Sequence, residues 1–178
     1  LKEDWLYNIY LMGKEAREKM DEGDPFAYVI PTEQWDDGEA AELVSVLRRG
    51  GIEVHRATQA FNAGGKRYDA GSYVAFVAQP FRAHLVDLME PQLYPDRHLF
   101  PGGPPITPYD LTGWTLPMQM AVSVDRIEDR FQARTTPVEE LEVNLEAGEV
   151  SGSGPFYALT PKWNSSANAV LQLLARRA

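Results

Sequence analysis

The sequence predicts an α/β protein with a mixed, mainly parallel sheet and flanking helices, in three layers as in Rossmann-like or flavodoxin-like folds. Apolar runs typical of strands alternate with helical patterns through residues 27–90, and this alternation favours an α/β fold. The strand candidates are continuous apolar runs, as expected where both faces of a parallel sheet are covered. A long Pro-rich loop at 91–117 interrupts the pattern.

The composition limits the class of protein and its partners. In 178 residues, 17 Lys and Arg stand against 26 Asp and Glu, which gives a formal charge of −9. Such a chain lacks the cationic surface that a phosphate backbone requires, so we expect no nucleic acid partner. Cysteine is absent, which excludes disulfide scaffolds and thiol catalysis. No apolar run approaches the ~20 residues of a membrane span, so none is expected.

The first residues predict an amphipathic helix. Trp5, Ile9 and Met12 recur at helical spacing, and charged residues lie between them. We therefore expect a packing helix that links this region to its neighbour. Because the helix begins at the first residue without a capping side chain, we expect the chain to be part of a longer protein.

A βαβ unit follows. The apolar run 27–31 is the first strand, Asp36 or Asp37 caps a helix, and a Gly-Gly pair at 50–51 ends it. Residues 52–56 alternate as the next strand. Two strands joined by one helix are expected to lie parallel, with a right-handed crossover.

The next elements are a hairpin, a strand and a helix. Residues 61–68 carry glycines at their centre and predict a hairpin. Residues 72–78 predict a buried strand. Pro80 starts a helix at its first position, where the missing N–H is harmless. The apolar side chains that this helix is expected to bury are Phe81, Leu85, Leu88 and Met89.

The Pro-rich loop holds seven prolines and cannot form regular structure for long. Loops of this length are usually functional or cover another element. A strand pattern returns at 121–127. Near the end, residues 156–159 predict a short buried strand, and Asn164 or Ser165 caps a final helix with an apolar face.

A strand–helix pair normally leads to a further parallel strand, so we expect the last residues to open a truncated next domain. The predicted organisation is an N-terminal linking helix at 1–22, an α/β domain at 23–130, an acidic and Gly-rich connection at 131–154, and a terminal strand–helix pair at 155–178.

Sequence motifs for catalysis are weak. A metal site needs three or four converging ligands, and the three histidines are scattered. His84 and Asp87 imitate a His-x-x-Glu pair on a helix, but both lie away from its apolar stripe, towards solvent. A Gly-x-Ser-x-Gly elbow is missing. We therefore assign no catalytic and no metal-binding residue and expect no cofactor in this chain.

Three residues are candidates for binding: Arg82, Asp110 and Trp114. The stretch 109–117 is the densest cluster of unusual side chains, in which Asp110 can pin the loop through Asx-type bonds and Trp114 can anchor it in the core. The alternative for all three is a purely structural role.

The same stretch, Tyr-Asp-Leu-Thr-Gly-Trp-Thr-Leu-Pro followed by Met-Gln-Met, resembles a block found in large bacterial zinc carboxypeptidase-like metallopeptidases, downstream of their catalytic domain. The resemblance covers most of residues 5–125 and resumes near Tyr157 and 164–168, which resemble the opening of a class I glutamine amidotransferase-like domain. The other matching pieces are Tyr7-Asn8-Ile9-Tyr10 with Met12-Gly13, Tyr28-Val29-Ile30-Pro31, Gly71-Ser72-Tyr73-Val74, Ala78-Gln79-Pro80-Phe81-Arg82, and Tyr94-Pro95-Asp96 to Pro105.

The resemblance implies an amidotransferase-like variant of the three-layer fold and a hydrolase as the parent protein. In this family a His-x-x-Glu pair and a distant His hold the zinc, and this chain has no such pair. Zinc is therefore expected in a catalytic domain outside the chain. The implied partners are that domain and a peptide substrate, and peptidases of this kind are often exported.

Three functions are consistent with these observations. The first is a non-catalytic accessory α/β domain of a zinc carboxypeptidase-like peptidase, which supports the catalytic domain or binds peptide substrate. The second is a freestanding α/β enzyme of amidotransferase-like type. The third is a protein-interaction module that uses the 91–117 loop.

Overall fold

The computed structural model describes residues 2–18, 25–91, 96–107, 115–139 and 150–176. The helices are α1 (Lys2–Glu18), α2 (Asp37–Arg49), α3 (Arg82–Met89), α4 (Leu116–Gln119) and α5 (Asn164–Ala175). The strands are β1 (Ala27–Ile30), β2 (His55–Ala57), β3 (Phe61–Ala63), β4 (Lys66–Tyr68), β5 (Tyr73–Phe76), β6 (Asp125–Ile127) and β7 (Thr135–Pro137).

The main sheet has the strand order β6-β1-β5-β2-β7, and each neighbouring pair is antiparallel. The mixed α/β class is confirmed, whereas the expectation of a mainly parallel sheet is wrong. β1 and β2 do run in the same direction, because both are antiparallel to β5, but β5 lies between them. A buried apolar strand has the same pattern in either direction, so the sequence does not reveal that β5 returns antiparallel.

Helix α2 forms where the sequence predicts it. The Asp36 carboxylate accepts a hydrogen bond from the Gly38 N–H at 2.9 Å, which caps the first turn. Gly50 ends the helix, and Gly51 follows with φ of +81°. The face that packs on the sheet consists of Ala40, Ala41, Leu43, Val44 and Leu47.

The two faces of the sheet are covered differently. Alternation along β1 sends Tyr28 and Ile30 into the core beneath α2 and α3, and Ala27 and Val29 into a second core beneath the β3–β4 hairpin. Flanking helices on both faces were expected. In the part of the chain that the structure describes, α2 and α3 cover one face and the hairpin covers the other.

The predicted hairpin is confirmed. Gly64 and Gly65 both have positive φ, at +55° and +76°, as a two-residue turn between β3 and β4 requires. Phe61 and Tyr68 face each other across the pair with ring centroids 5.2 Å apart. Phe131 stacks on Phe61 and so joins this second core.

Several expectations about the remaining segments are corrected. Residues 156–159 are not a strand, and Phe156 is 88% exposed. Phe81 precedes the first turn of α3 and is 51% exposed, so it is not part of the buried face. Strand β7 lies in the segment expected to be a connection, where Thr-Thr-Pro offers no apolar alternation.

The terminal helices form but expose apolar side chains. In α1, Trp5 and Ile9 are 68% and 62% exposed, so the expected packing of this helix is not seen among the described residues. Helix α5 is tied to α2 by polar contacts at its start: the Asn164 N–H donates to the Asp36 carboxylate at 2.8 Å, and the Asn164 amide donates to Glu39 at 2.6 Å. Asp36 therefore caps two helices.

Candidate functional site

A cleft of about 990 Å³ lies around β6, the terminal strand on one side of the sheet. The run 121–126 lines the cleft continuously. One wall comes from the end of α3 and from α4, and the other comes from the β3–β4 hairpin. Because the walls lie on opposite faces of the sheet, the cleft encloses the edge of β6.

The wall on the helix side is built around Glu90. Its carboxylate accepts hydrogen bonds from the Tyr28 hydroxyl at 2.6 Å and from Arg126 Nε at 2.7 Å. Tyr28 and Arg126 are opposite each other in the β1–β6 register, so both side chains lie on this face. Arg126 also pairs with Glu128. The carboxylate and the guanidinium are thus held in fixed positions.

The wall on the hairpin side is built around Asp125. Its two carboxylate oxygens accept from Lys66 Nζ at 2.6 Å and from the Tyr68 hydroxyl at 2.9 Å. Adjacent residues of β6 therefore send their side chains to opposite walls, as the strand period of two requires.

Both tyrosines of the cleft are held in the neutral form. Burial, followed by the hydrogen bond to Glu90 and its negative charge, raises the pKa of Tyr28 well above its ordinary value. Burial and the neighbouring Asp125 likewise raise the pKa of Tyr68. At neutral pH these phenols donate hydrogen bonds and do not accept protons, so the arrangement suits recognition better than proton transfer.

A buried glutamine holds Ser123, one of the residues that line the cleft. Extension of the β1–β6 register places Pro31 opposite Ser123, and proline has no N–H for the Ser123 carbonyl. The Gln34 amide takes its place: it donates to the Ser123 and Pro31 carbonyls, each at 3.0 Å, and accepts from the Ser123 N–H at 2.9 Å. Gln34 therefore continues the ladder between β1 and the run that enters β6.

Two non-glycine residues at the cleft have left-handed backbone. Thr115 and Ala121 bracket α4, and both have φ of +53°. The Thr115 hydroxyl donates to the Glu90 backbone carbonyl at 2.9 Å, which joins α4 to the end of α3. Backbone of this kind is uncommon outside glycine and clusters at functional sites.

Of the three sequence-predicted binding residues, Arg82 is not part of this site. Arg82 is the first residue of α3, whereas Glu90 follows its last, which separates them by roughly 12 Å along the helix axis. Asp110 and Trp114 lie outside the described residues. The binding role of all three stays a prediction.

Sequence reasoning did not identify Tyr28, Glu90, Asp125 or Arg126. A signal for the last two was present, since two adjacent opposite charges interrupt an otherwise apolar strand pattern at 121–127. Tyr28 and Glu90 gave no signal, because their meeting depends on a contact 62 residues apart along the chain.

Groups of three or more metal-ligating side chains are not found among the described residues. His84 and Asp87 are exposed on α3, as the helical pattern predicts. None of the helices in the described ranges is long and apolar enough to cross a membrane. Comparison of the chain with protein-family models, curated proteins and solved structures finds no match.

Proposed function

We propose that the chain is a non-catalytic accessory α/β domain of a zinc carboxypeptidase-like peptidase, and that its cleft binds peptide substrate beside the catalytic domain. The cleft around β6 is the observation that carries the proposal. Its volume of about 990 Å³ suits several residues of an extended chain. The resemblance of the sequence to the region after the peptidase domain supplies the peptide as the substrate class.

The side chains of the cleft support a binding role. Glu90 and Asp125 are each engaged by a cation and a tyrosine hydroxyl, at 2.6 to 2.9 Å. Groups held in this way present fixed donors and acceptors to a ligand. The zinc and its general base belong, in this proposal, to the catalytic domain.

The experiment is a parallel assay of binding and hydrolysis. Purified chain is mixed with unblocked peptides in the presence of zinc, with and without a chelator, while amide NMR shifts and free amino groups are followed. We expect shifts at residues 121–126 and no turnover. Chelator-sensitive hydrolysis, or shifts confined to other regions, contradicts the proposal.

A second candidate function is a protein-interaction module that uses the 91–117 loop. Residues 97–106 form a small two-stranded turn, in which the Ile106 N–H donates to the Arg97 carbonyl at 2.8 Å. At its tip, Leu99 and Phe100 are 68% and 60% exposed. Titration calorimetry with the peptidase catalytic domain tests this role, because Leu99→Ser with Phe100→Ser removes the apolar tip and weakens docking if the tip is the contact.

A further inference from the structure

The two edges of the sheet turn different backbone groups outwards. In an antiparallel ladder, alternate residues direct both N–H and C=O to the partner strand, and the residues between them direct both groups away. On the β6 side, Ser123 binds inwards through Gln34, and the Ile127 carbonyl accepts from the Phe26 N–H at 2.8 Å. Val124, which lies between inward residues, therefore turns its backbone N–H and C=O to the outer edge.

The outer edge at Val124 opens into the cleft. Val124 lines the cleft and is half-buried, with its side chain against the core on the helix side. No hydrogen bond to its N–H or C=O is formed by the residues that the structure describes. A half-buried backbone N–H and C=O that lie side by side can form hydrogen bonds with an added strand.

The opposite edge is interrupted by a proline. On β7, the Arg134 carbonyl accepts from Thr58 and the Val138 N–H donates to Val54, so positions 134 and 138 face inwards. The same alternation turns Pro137 outwards, where it has no N–H to offer. Proline on an edge strand prevents pairing with another chain. The β6 edge has no proline in the run 121–127.

We propose that a peptide binds in the cleft as an extra strand on the β6 edge, with one of its residues paired to the backbone of Val124. This inference rests on the proposed peptide-binding function and specifies how the peptide is held. The charge of Asp125 does not oppose this strand pairing, because Lys66 and Tyr68 hold its carboxylate at the hairpin wall.

The two walls define the chemistry of the peptide. The residue paired with Val124 sends its side chain to the helix side, where Pro117 and Met118 line the cleft. Its neighbours send theirs to the hairpin side, where Lys66 and Arg67 line it. The occupant is therefore an extended segment with an apolar residue opposite Val124 and polar residues on either side.

The test uses a blocked hexapeptide, acetyl-Lys-Val-Thr-Val-Thr-Lys-amide, and two N-methylated analogues, titrated into the whole chain and followed at the Val124 amide by NMR. Methylation of both valines removes donors that face the β6 edge, one of them opposite Val124, and methylation of both threonines removes donors that face away from that edge. We expect the valine analogue to bind at least about fivefold more weakly, since two hydrogen bonds are lost, and the threonine analogue to bind as the parent does.

Equal binding of the two analogues contradicts strand addition and leaves peptide binding in the cleft intact. Failure of the parent hexapeptide to perturb Val124 overturns the inference, and the assay of general peptide binding then decides the proposed function separately. A protein variant gives an independent result: Val124→Pro removes the outward N–H, which donates to a peptide carbonyl, and should weaken binding of the parent hexapeptide, whereas Val124→Thr keeps the N–H and should bind it as the wild-type chain does. If Val124→Pro does not fold, the analogues on the wild-type chain decide.

Discussion

The two edge strands of the sheet are matched in length and differ in what they present. β6 and β7 each have three residues and each pairs antiparallel with one neighbour. β7 places a proline at an outward position, whereas β6 lies in a cleft with an outward donor and acceptor at Val124. The comparison teaches that a proline interrupts one edge, whereas the other edge lies between two walls of a cleft.

In each half of the sheet, the side chain of a buried glutamine continues the hydrogen bonding between two strands. Gln34 continues the β1–β6 ladder at Ser123, and Gln79 does the same for β5–β2: it accepts from the Glu53 N–H at 2.7 Å and donates to the Glu53 and Phe76 carbonyls at 3.2 and 2.7 Å. Each glutamine lies three residues after a residue whose carbonyl it binds, Pro31 for Gln34 and Phe76 for Gln79. The β1–β6 and β5–β2 pairs are thus extended in the same way.

The largest expected effect comes from removal of the side-chain amides of these two glutamines. Gln34→Ala and Gln79→Ala each leave a backbone N–H and two carbonyls without their partner, so each should lower the free energy of unfolding by roughly 2–3 kcal/mol. Urea denaturation measures the loss. Amide hydrogen exchange locates it, because protection should fall at Ser123 in the first variant and at Glu53 in the second. The exposed Gln59→Ala is the control and should change stability by less than about 0.5 kcal/mol. Loss of protection at both sites in both variants contradicts separate support of the two strand pairs.

The next effect is a loss of stability in alkali on the β6 side. The folded-state pKa values of Tyr28 and Tyr68 are raised above the unfolded value near 10, so their stabilisation is complete below that pH and is lost as the pH rises towards the folded-state values. Unfolding midpoints between pH 8 and 11 should therefore fall, and Tyr28→Phe with Tyr68→Phe should flatten the fall. Tyr157→Phe, at an exposed site, should leave the profile unchanged.

A smaller effect in acid is expected on the β7 side. Burial, assisted by the charge of Arg48, lowers the pKa of His55 below its ordinary value of 6.5, while Glu53 opposes the shift. Its contribution to stability is complete above about pH 6.5 and is lost as the pH falls through the folded-state pKa. Because His55 is opposite Pro137 in the ladder, amide protection of β7 should fall between pH 7 and 5 before that of β6. An unchanged acid profile in His55→Gln contradicts this assignment.

The smallest effect should come from the exposed ion pair at the hairpin wall. Lys66 is largely exposed, so Lys66→Met should lower the free energy of unfolding by only about 0–1 kcal/mol, with a difference that shrinks in salt. Arg67→Met is the matched control, since its pair with Asp69 is longer, at 3.9 Å, and both side chains are about three-quarters exposed. A loss above about 2 kcal/mol shows that Lys66 supports β6 in a way that the exposed geometry does not explain.

Local features were predictable from the sequence and pairings distant along the chain were not. The cap at Asp36, the Gly50 end of α2 and the Gly64-Gly65 turn are decided by neighbours in the chain, and all three are confirmed. The direction of β5 and the existence of β7 depend on partners tens of residues away. Thr-Thr-Pro shows no strand period because an edge strand buries little on either face.

The candidate site was less predictable than the fold. Its groups come from Tyr28, Lys66, Glu90 and Asp125, and the sequence distances between partners reach 62 residues. Tyr28 falls in one of the pieces that carry the family resemblance, where it predicted only a strand, and the other three belong to no motif. Unusual side chains are dense at 109–117, which favoured that stretch as the candidate site, and it is largely outside the described residues.

Asp36 has a consequence for the order in which the chain assembles. Its carboxylate joins the first turn of α2 to that of α5 across 128 positions of sequence. Closure of so long a segment carries an entropy penalty that grows with its length, and the apolar side chains of α5 offer little burial to offset it, since Leu171 and Leu174 are more than half exposed. We therefore expect α5 to dock last during folding, through polar contacts with a domain that has already formed. It should also be released first under denaturant.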